Sequence, residues 1–442
     1  MTRWAEKKLA GWGRTSEAAV KVARPERLAD LHKAVKDTPK LLAHGLGRSY
    51  GDEALPPDSA KAILLHKLDR LLSFDEATGL LTAEAGVMLA AIQSLFLPRG
   101  WAVPVMPGTG FVTLGGAIAN DVHGKNHLFA GSFGRHVEWL DLLLPSGEEQ
   151  RLSRTEAPDL FRATLGGLGL TGIIVRAGLR LMGVPGQAMQ VTVQKCADLD
   201  SLFAAFETAP ATDEYRVAWV DGMARGENLG RGVFERAHFV AAEVKPPRPG
   251  PAFPCDLPGF VLNPVTIGLF NRFHYAKAAN GTHTVPAARF FHPLDRIGNW
   301  NRMYGKRGFH QFQAVIPKES APAGIRQCLE TISQSRRASF LAVMKQLGEA
   351  GEGLLSFPLS GYTLALDFPH GPGVDDLLRS LIRITHTHGG RVYLAKDSAL
   401  AAEDFTSMYP DAEKFRRLCR EIDPEGKMSS QMALRLGLRS AT

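Results

Sequence analysis

Cysteine is scarce in this chain, and the placing of the few cysteines excludes two kinds of stabilising site. Only four occur in 442 residues, widely separated and without a Cys-x-x-Cys pair. We therefore expect neither a disulfide framework nor a structural zinc site. Long apolar runs are also missing, and the first 22 residues lack the apolar core of a signal peptide. These absences predict a cytoplasmic protein without a metal centre.

Basic residues are in only slight excess over acidic residues. The 52 basic and 45 acidic residues give a net charge of +7, and the basic residues are scattered. No motif of a nucleic-acid-binding module accompanies them, so we expect no nucleic acid partner. The surplus favours an anionic ligand, and it is compatible with peripheral contact to acidic lipid headgroups at the inner face of a membrane.

The length of the chain exceeds what one hydrophobic core usually serves, so we expect two domains. The local composition changes at GVPGQ, residues 183–187, where we place a boundary. Before it, short apolar runs separated by turns predict strands, and the run from Met88 predicts a helix that Pro98 and Gly100 end. After it, predicted strands at 308–317, 362–369 and 389–398 alternate with helices. This order suggests an α+β protein whose second part is an open sheet with helices on one face.

A GxGxxG pattern at Gly167, Gly169 and Gly172 invites a Rossmann interpretation. That fingerprint requires a strand before it and a helix after it. Here the sequence predicts a helix before it and a strand after it. We therefore reject a Rossmann site.

Prolines are concentrated in one segment, with seven in the twenty residues from Lys245 to Pro264. Such a segment cannot form a regular helix or a central strand, so we predict a long surface loop with exposed apolar residues. It is either a plain insertion or a cover for an apolar substrate.

Two glycine-rich segments carry the strongest signal. Val103 to His127 holds five glycines, four small hydroxyl or amide residues and two histidines, and His44 to Asp52 forms a second glycine turn. A backbone with so few side chains can press its N–H groups against a phosphate or a flat ring. Alone, the second turn would be read as ordinary. Together the segments predict a dinucleotide-type cofactor, with Arg48 and Ser49 contributing to its pyrophosphate.

The motifs HGLGRSYGD, VPVMPGTGFVTLGGAIANDVHGKNH, AGSFGRHV, GGLGLTGIIVRA and EIDPEGKMSSQMALRLGL resemble those of FAD-binding oxidoreductases of the p-cresol methylhydroxylase and vanillyl-alcohol oxidase type. Within that group the chain resembles the decaprenylphosphoryl-β-D-ribose 2'-oxidase family, least well in its middle third. The resemblance implies a two-subdomain FAD-binding domain over residues 1–187 and a substrate domain with an antiparallel sheet over 188–390. Residues 391–442 would return to the FAD-binding domain.

The resemblance also implies roles for individual residues. It implies noncovalent FAD, although some relatives attach FAD through a histidine near His123. Lys396, His123 and Tyr50 would be catalytic, and Lys125, Gln311, Gln313, Lys345 and Lys396 would bind substrate. The implied FAD-binding residues are Gly45, Gly47, Arg48, Ser49, Tyr50, Gly51, Gly108, Thr109, Thr113, Gly115, Gly116, Ala119, Asn120, His123, Gly124, Gly172, Ile174 and Tyr393.

The chemistry of alcohol oxidation suits these residue types, because the hydroxyl proton must leave as the C–H bond breaks. Lys396 is the first choice for a cation near the flavin and the reacting oxygen; the alternative is an exposed lysine paired with Asp397. Gln311 and Gln313 share a strand face and would bind sugar hydroxyls, unless they are surface residues. Lys345 would meet a lipid-linked phosphate or, alternatively, solvent.

Two positions depart from the family pattern: Phe291 replaces a tyrosine and Ala365 replaces a cysteine. They put the exact substrate in doubt but not the cofactor. The expected reaction is oxidation of the C2 hydroxyl of a polyprenylphosphoryl pentose, ribose by preference, before a separate NAD(P)H-dependent reductase completes epimerisation to arabinose. The alternatives are oxidation of a soluble sugar alcohol or aldonolactone, and a non-catalytic protein that binds a nucleotide or polyanion.

Overall fold

The computed structural model of the protein describes residues 3–58, 60–245, 250–337 and 340–440. It has an α+β fold. The elements of the first part, in chain order, are β1 (Ala5–Ala10), β2 (Glu17–Ala23), α1 (Leu28–Lys36), β3 (Leu41–His44), β4 (Lys61–Leu64), β5 (Leu71–Asp75), β6 (Leu80–Glu84), α2 (Leu89–Phe96), β7 (Trp101–Ala102), α3 (Leu114–Ala119), α4 (His127–Ala130), β8 (Val137–Leu143), β9 (Glu149–Ser153), α5 (Pro158–Thr164), β10 (Ile173–Arg180) and β11 (Met182–Gly183).

Two small sheets organise this first part. One has the order β1-β2-β4-β3, with parallel pairing of β4 to both β2 and β3, and the other is antiparallel in the order β5-β6-β10-β8-β9. The predicted helix is present as α2, followed by a 3₁₀ turn that contains Pro98 and ends at Gly100, whose φ is +82°. Helix α5 precedes the GxGxxG pattern and strand β10 follows it, which confirms that this is not a Rossmann turn.

The second part is built on one large sheet. Its elements, with the C-terminal helices, are β12 (Ala188–Cys196), α6 (Leu199–Glu207), β13 (Tyr215–Val220), β14 (Gly232–Val240), α7 (Pro264–Lys277), β15 (Gly281–Pro286), α8 (Ala287–Phe291), β16 (Phe309–Pro317), α9 (Ala321–Ser335), β17 (Ala342–Leu347), β18 (Gly361–Pro369), α10 (Val374–Thr387), β19 (Arg391–Val392), α11 (Ala402–Met408), α12 (Ala412–Ile422) and α13 (Gln431–Arg435).

The large sheet is antiparallel, with the order β15-β12-β14-β13-β17-β18-β16-β19. Side chains on a strand alternate between faces, so β16 and β18 each present two different surfaces. Phe312, Ala314 and Leu366 belong to the face that packs with α6, α9 and α10 in one apolar core. The opposite face carries Gln311 and Asp367, which are register partners.

The prediction of a strand over 389–398 was largely wrong. Only Arg391 and Val392 pair with the sheet, as β19, and residues 394–396 form a 3₁₀ turn. The chain leaves the sheet because the Asp397 carboxylate accepts hydrogen bonds from the backbone N–H groups of Ala399 and Leu400 and pairs with Arg435. The turn directs Lys396 away from the sheet edge.

The proline-rich segment behaves as predicted where it is described. Residues 246–249 lie outside the described residues, and 250–263 contain neither a helix nor a named strand. Helix α7 was not predicted. It begins immediately afterwards, with Pro264 in its first turn and a capping box formed by Asn263 and Thr266. Phe260, just before the helix, is 77% exposed.

The C-terminal helices lie against the first part of the chain. The Gln431 N–H donates to the Leu55 carbonyl, and Met428 forms an isolated bridge to Leu41. Arg435 binds Asp52, 2.7 Å away in the second glycine turn, and Asp397, 2.9 Å away beside the 3₁₀ turn. This arginine thus joins the two segments that carry Tyr50 and Lys396.

We predict that Arg435→Met lowers the free energy of unfolding by about 2–3 kcal/mol, because it leaves the buried Asp397 carboxylate without its cation. Urea denaturation measures the change. Arg420→Met is the matched control, since the Arg420–Glu413 pair is exposed and its loss should change the free energy of unfolding little. Equal effects of the two substitutions would contradict the bridging role.

Candidate active site

A cavity of about 950 Å³ lies between the glycine-rich segments of the first part and one face of the large sheet. Gly45, Gly108 and Gly116 line it on one side, and Gln311 and Lys345 line it on the other. Both parts of the chain therefore contribute to one cleft. A large cleft with few convergent polar groups is the usual form of a cofactor and substrate site.

Close backbone packing forms the glycine wall. A Cβ at Gly45 would lie 2.7 Å from the Thr113 hydroxyl oxygen, and one at Gly115 would lie 2.9 Å from the Ala85 Cβ. Thr113 in turn accepts a hydrogen bond of 3.1 Å from the Gly116 N–H. A Cβ at Gly108 would meet nothing within 4 Å. These glycines leave a shallow backbone cradle that faces the cavity.

The polar side-chain atoms of this wall fit FAD. Within the residues that the structure describes, three buried polar atoms of cavity-lining residues have no hydrogen-bond partner: Glu53 Oε2, Asn120 Oδ1 and His123 Nδ1. Buried polar groups are normally paired, so these atoms indicate a ligand with several hydrogen-bonding groups. The ribityl, phosphate and ring groups of FAD supply such partners next to a glycine-rich backbone.

His123 is held by its neighbours in a neutral form. Its Nε2 lies 2.9 Å from Gln313 Nε2, and its ring packs 5.3 Å from Phe357 and 5.2 Å from Tyr393. Burial, followed by the charges of nearby lysines, lowers its pKa well below the usual value. The imidazole therefore acts as a polar, uncharged wall of the cavity.

Lys396 lies at the centre of the site. Its Nζ is 3.8 Å from the centroid of the Tyr50 ring, a cation–π contact, and Tyr50 is itself buried. Burial lowers the pKa of Lys396 to about 8, against the opposing effects of Asp367 and Glu53. Asp397 pairs with Arg435. The exposed Lys396–Asp397 pair considered from the sequence is thus wrong.

Two further lysines line the same cavity. Burial lowers the pKa of Lys345 to about 7, helped by repulsion from Lys396 and Lys125, and lowers that of Lys125 to about 8. Lys125 donates to the Phe290 carbonyl and lies 4.0 Å from the Phe290 ring centroid. Lys345 makes no hydrogen bond or ion pair within the described part of the chain. Such a group attracts an anionic ligand.

The two glutamines are interior residues, which excludes the surface alternative. Gln311 and Gln313 are 9% and 4% exposed on β16, between β18 and β19. Gln311 donates to Asp367 at 2.5 Å, and Gln313 donates to the Thr363 hydroxyl at 3.1 Å. Their carboxamides therefore have fixed surroundings on the cavity wall.

One arm of the cavity, beside Lys125, is lined mostly by apolar side chains together with Glu235, the register partner of Val217. Val217 and Val233, on adjacent strands of the large sheet, line this arm, and Phe270 of α7 borders it. Phe291 is buried 5.2 Å from the Tyr215 ring, and Ala365 also lines the wall. The combination of a cationic end and an apolar arm suits a ligand with a phosphate and a hydrocarbon chain.

One residue expected at the cofactor lies elsewhere. Gly51 does not line the cavity; a Cβ there would lie 2.0 Å from the Asp397 carbonyl oxygen, so its glycine permits close chain packing.

Arg48 lines the cavity, but its guanidinium lies 4.1 Å from the Trp12 ring and donates to the Phe111 carbonyl. The remaining predicted residues all line the cavity: Gly45, Gly47, Ser49, Tyr50, Gly108, Thr109, Thr113, Gly115, Gly116, Ala119, Asn120, His123, Gly124, Lys125, Gly172, Ile174, Gln311, Gln313, Lys345, Tyr393 and Lys396.

Sequence reasoning missed several residues of the site, among them Glu53, Trp12 and Asp367. Glu53 and Trp12 line the cavity, and Asp367 lies directly behind Gln311. Glu53 follows the second glycine turn immediately, which was an available signal. Thr363, Ala365 and Asp367 occupy every second position of β18, so the two-residue period of a strand predicts that they share one face. Nothing local in the sequence points to Trp12.

Comparison with known proteins decides the family. A sequence profile described as an FAD binding domain matches residues 17–153. The chain is 36% identical to the decaprenylphosphoryl-beta-D-ribose oxidase of Mycolicibacterium smegmatis, over 98% of both chains. The chain belongs to the decaprenylphosphoryl-β-D-ribose oxidase family. It is also 24% identical to the L-gulonolactone oxidase of Scyliorhinus torazame over 86% of each chain, and 28% identical to a D-arabinono-1,4-lactone oxidase of Yarrowia lipolytica over 39% of this chain and 33% of that one.

Membership of this family makes the protein an FAD-dependent oxidoreductase that acts on a CH–OH donor. The interpretation as a non-catalytic binding protein is thereby set aside. Among the helices within residues 3–58, 60–245, 250–337 and 340–440, none is long and apolar enough to cross a membrane.

We predict that Lys345 makes the stability of the apoprotein depend on pH. Its folded-state pKa of about 7 lies below the usual 10.5, so between those values the unfolded chain binds more protons and stability rises with pH. Lys345→Met should reduce this slope by up to about one proton. Urea denaturation of flavin-free protein at several pH values measures it. Lys67→Met, at an exposed position, should leave the slope unchanged, and an unchanged slope in Lys345→Met would contradict the prediction.

Proposed function

We propose that the protein oxidises the C2 hydroxyl of a polyprenylphosphoryl pentose, ribose by preference, to the 2-keto sugar. The observation that carries this proposal is one cavity with a cationic end and an apolar arm. Lys345 and Lys125 supply positive charge for a phosphate, and Val217 and Val233 supply an apolar wall for a prenyl chain. The name of the Mycolicibacterium smegmatis relative, a decaprenylphosphoryl-beta-D-ribose oxidase, agrees with this chemistry.

Each polar residue of the site has a separate role in the proposed oxidation. FAD, when bound, supplies the acceptor for the hydride that leaves C2. Lys396, beside Tyr50, either accepts the proton of the reacting hydroxyl or stabilises the negative charge that develops on its oxygen. Gln311 and Gln313 bind the other sugar hydroxyls from the sheet. Lys345 binds the phosphate as a point charge. The walls around them exclude water from the reacting centre.

FAD is bound without a covalent link in this proposal. His123 supports it, because its Nε2 is engaged with Gln313 and its ring is packed against Phe357 and Tyr393. A histidine held in this way serves as a hydrogen-bonding wall. The backbone cradle and the unpaired polar atoms of Glu53 and Asn120 then carry the affinity for FAD.

We propose that the 2-keto product of this reaction is reduced in a following step. A 2-keto sugar that stays attached to its lipid phosphate becomes the epimeric alcohol only by gaining a hydride on the opposite face. A separate NAD(P)H-dependent reductase would supply that hydride and yield the arabinose epimer. The partner proposed for this protein is therefore an enzyme that consumes the same lipid-linked ketone.

A second candidate is oxidation of a soluble sugar alcohol or aldonolactone. The similarity to L-gulonolactone oxidase over 86% of both chains favours it. A soluble substrate would leave the apolar arm along Val217, Val233 and Phe270 without a ligand group. For that reason the lipid-linked sugar is the preferred substrate.

We predict that purified holoprotein is yellow and that its flavin absorbance bleaches anaerobically with polyprenylphosphoryl ribose but not with free ribitol or L-gulonolactone. Lys396→Met should slow bleaching by about 10²-fold or more while retaining FAD, because it removes the cation at the reacting oxygen. Lys67→Met is the exposed control. Acid precipitation should release FAD into the supernatant. Bleaching by the lactone alone would favour the second candidate, and flavin retained in the pellet would contradict noncovalent binding.

We also propose that α7 and the segment before it contact a membrane surface. Phe260, Val265, Leu269 and Phe273 are between 60% and 77% exposed, and Val265, Leu269 and Phe273 follow each other at four-residue spacing on one helix face. Exposed basic residues accompany them: Arg272, Lys277, Lys306 and Arg307. An apolar face with basic neighbours fits an anionic lipid surface. Phe270 of the same helix borders the cavity, so a prenyl chain could enter directly from the bilayer.

We predict that holoprotein sediments with vesicles that contain phosphatidylglycerol and less with vesicles of phosphatidylcholine alone. The double substitution Phe260→Ser and Phe273→Ser should weaken binding by at least about tenfold, since each phenylalanine buries apolar area in the interface. Leu71→Ser with Leu72→Ser is the matched control, because these residues are also exposed but lie on β5. Equal loss in both double variants would contradict a surface centred on α7.

A further inference from the structure

We propose that Asp367 is a positioning residue whose carboxylate fixes the Gln311 carboxamide and the Lys396 ammonium in the arrangement that receives the sugar hydroxyl. This inference rests on the proposed function, which assigns no role to Asp367. The residue does not line the cavity. It would act entirely through the groups in front of it.

The carboxylate is enclosed and its two oxygens have separate donors. Asp367 is fully buried on β18. Its Oδ1 accepts from Gln311 Nε2 at 2.5 Å, and its Oδ2 accepts from the Tyr304 hydroxyl at 2.9 Å. Gln311 is also its register partner across the β16–β18 ladder, so the contact is fixed by backbone pairing as well as by the side chains.

The charge of this carboxylate determines the orientation of the amide. An ionised carboxyl group only accepts hydrogen bonds, so Gln311 must turn Nε2 toward Asp367. Its Oε1 is then directed elsewhere, as an acceptor on the cavity wall. That acceptor is available to a sugar hydroxyl, and the Gln311 side chain also contacts the Tyr50 hydroxyl, an interaction that opposes the rise in the pKa of Tyr50 caused by burial. A neutral group at position 367 would remove the constraint.

The same carboxylate also acts on Lys396. Tyr304 stacks on Phe309 with ring centroids 4.0 Å apart, and Tyr50 meets Phe309 edge-on at 5.5 Å. Lys396 lies 3.8 Å from the Tyr50 centroid. Asp367 raises the pKa of Lys396, and Lys396 lowers that of Asp367. The carboxylate and the ammonium therefore stabilise each other's charged forms.

The position of Asp367 has an electrostatic cost that a purely structural residue would not require. Burial raises its pKa to about 7, in spite of the hydrogen bonds from Gln311 and Tyr304 and the charge of Lys396. An ionised carboxylate accepts from both donors, whereas an asparagine has only one acceptor oxygen. A carboxylate at this position is thus consistent with a need for its charge.

The test uses holoprotein and two variants. In Asp367→Asn, kcat with polyprenylphosphoryl ribose should fall by at least about tenfold with a smaller change in KM, because the reacting geometry is lost more than ground-state binding. Tyr304→Phe keeps the carboxylate but removes one donor, so the acid limb of its kcat profile should move to higher pH. The titratable groups that face Asp367 in these profiles are Tyr50, Tyr304 and Lys396. Asp141→Asn, a buried carboxylate on β8, is the control and should match the wild type.

A second measurement requires no substrate. The visible spectrum of the bound flavin is titrated with acid and base in the wild type and in all three variants. We expect a transition that Tyr304→Phe shifts upward and that Asp367→Asn abolishes. Wild-type kinetics in Asp367→Asn, or a spectral titration identical in all four proteins, would overturn the inference. No turnover of the lipid-linked sugar together with the expected spectral shifts would instead count against the proposed substrate.

Discussion

Buried positive charge is the constraint around which this structure is organised. Lys125, Lys345 and Lys396 line one cavity, and burial lowers the pKa of each. Glu235 and Asp367 offset part of this charge electrostatically, but Lys345 has no acceptor within the described chain. A site of this kind is stabilised when an anion binds. The substrate phosphate and the developing charge of the reaction provide that anion where the chemistry needs it.

The two-residue period of the large sheet makes this arrangement possible. One face of β16, β17 and β18 is apolar and packs on helices, which leaves the other face free to carry polar groups at fixed spacing. The glycine segments supply the opposite wall, and Arg435 ties the chain near Tyr50 to the chain near Lys396. Catalytic and binding groups from distant parts of the sequence thus meet without a flexible connection between them.

Much of this was predictable where the signal is local. The glycine segments, α2, strands β16 and β18 of the large sheet and the absence of a Rossmann turn followed from spacing and turn residues. Residues placed by tertiary packing were not predictable from the sequence. Helix α7 has apolar residues on its exposed side, so no amphipathic pattern marked it. The 3₁₀ turn at Lys396 depends on Asp397, the next residue, and on the ion pair of Asp397 with Arg435, 38 residues further along the chain. Gly51 serves chain packing instead of the cofactor.

The central claim is that one lysine-lined site holds both the substrate phosphate, at Lys345, and the reacting sugar hydroxyl, at Lys396. A crystal structure of the FAD-loaded protein, soaked anaerobically with polyprenylphosphoryl ribose, tests this claim most directly. The account predicts the phosphate within hydrogen-bonding distance of Lys345, the C2 hydroxyl beside Lys396 and the prenyl chain along Val217 and Val233. A phosphate remote from all three lysines, or a prenyl chain outside the apolar arm, would contradict it.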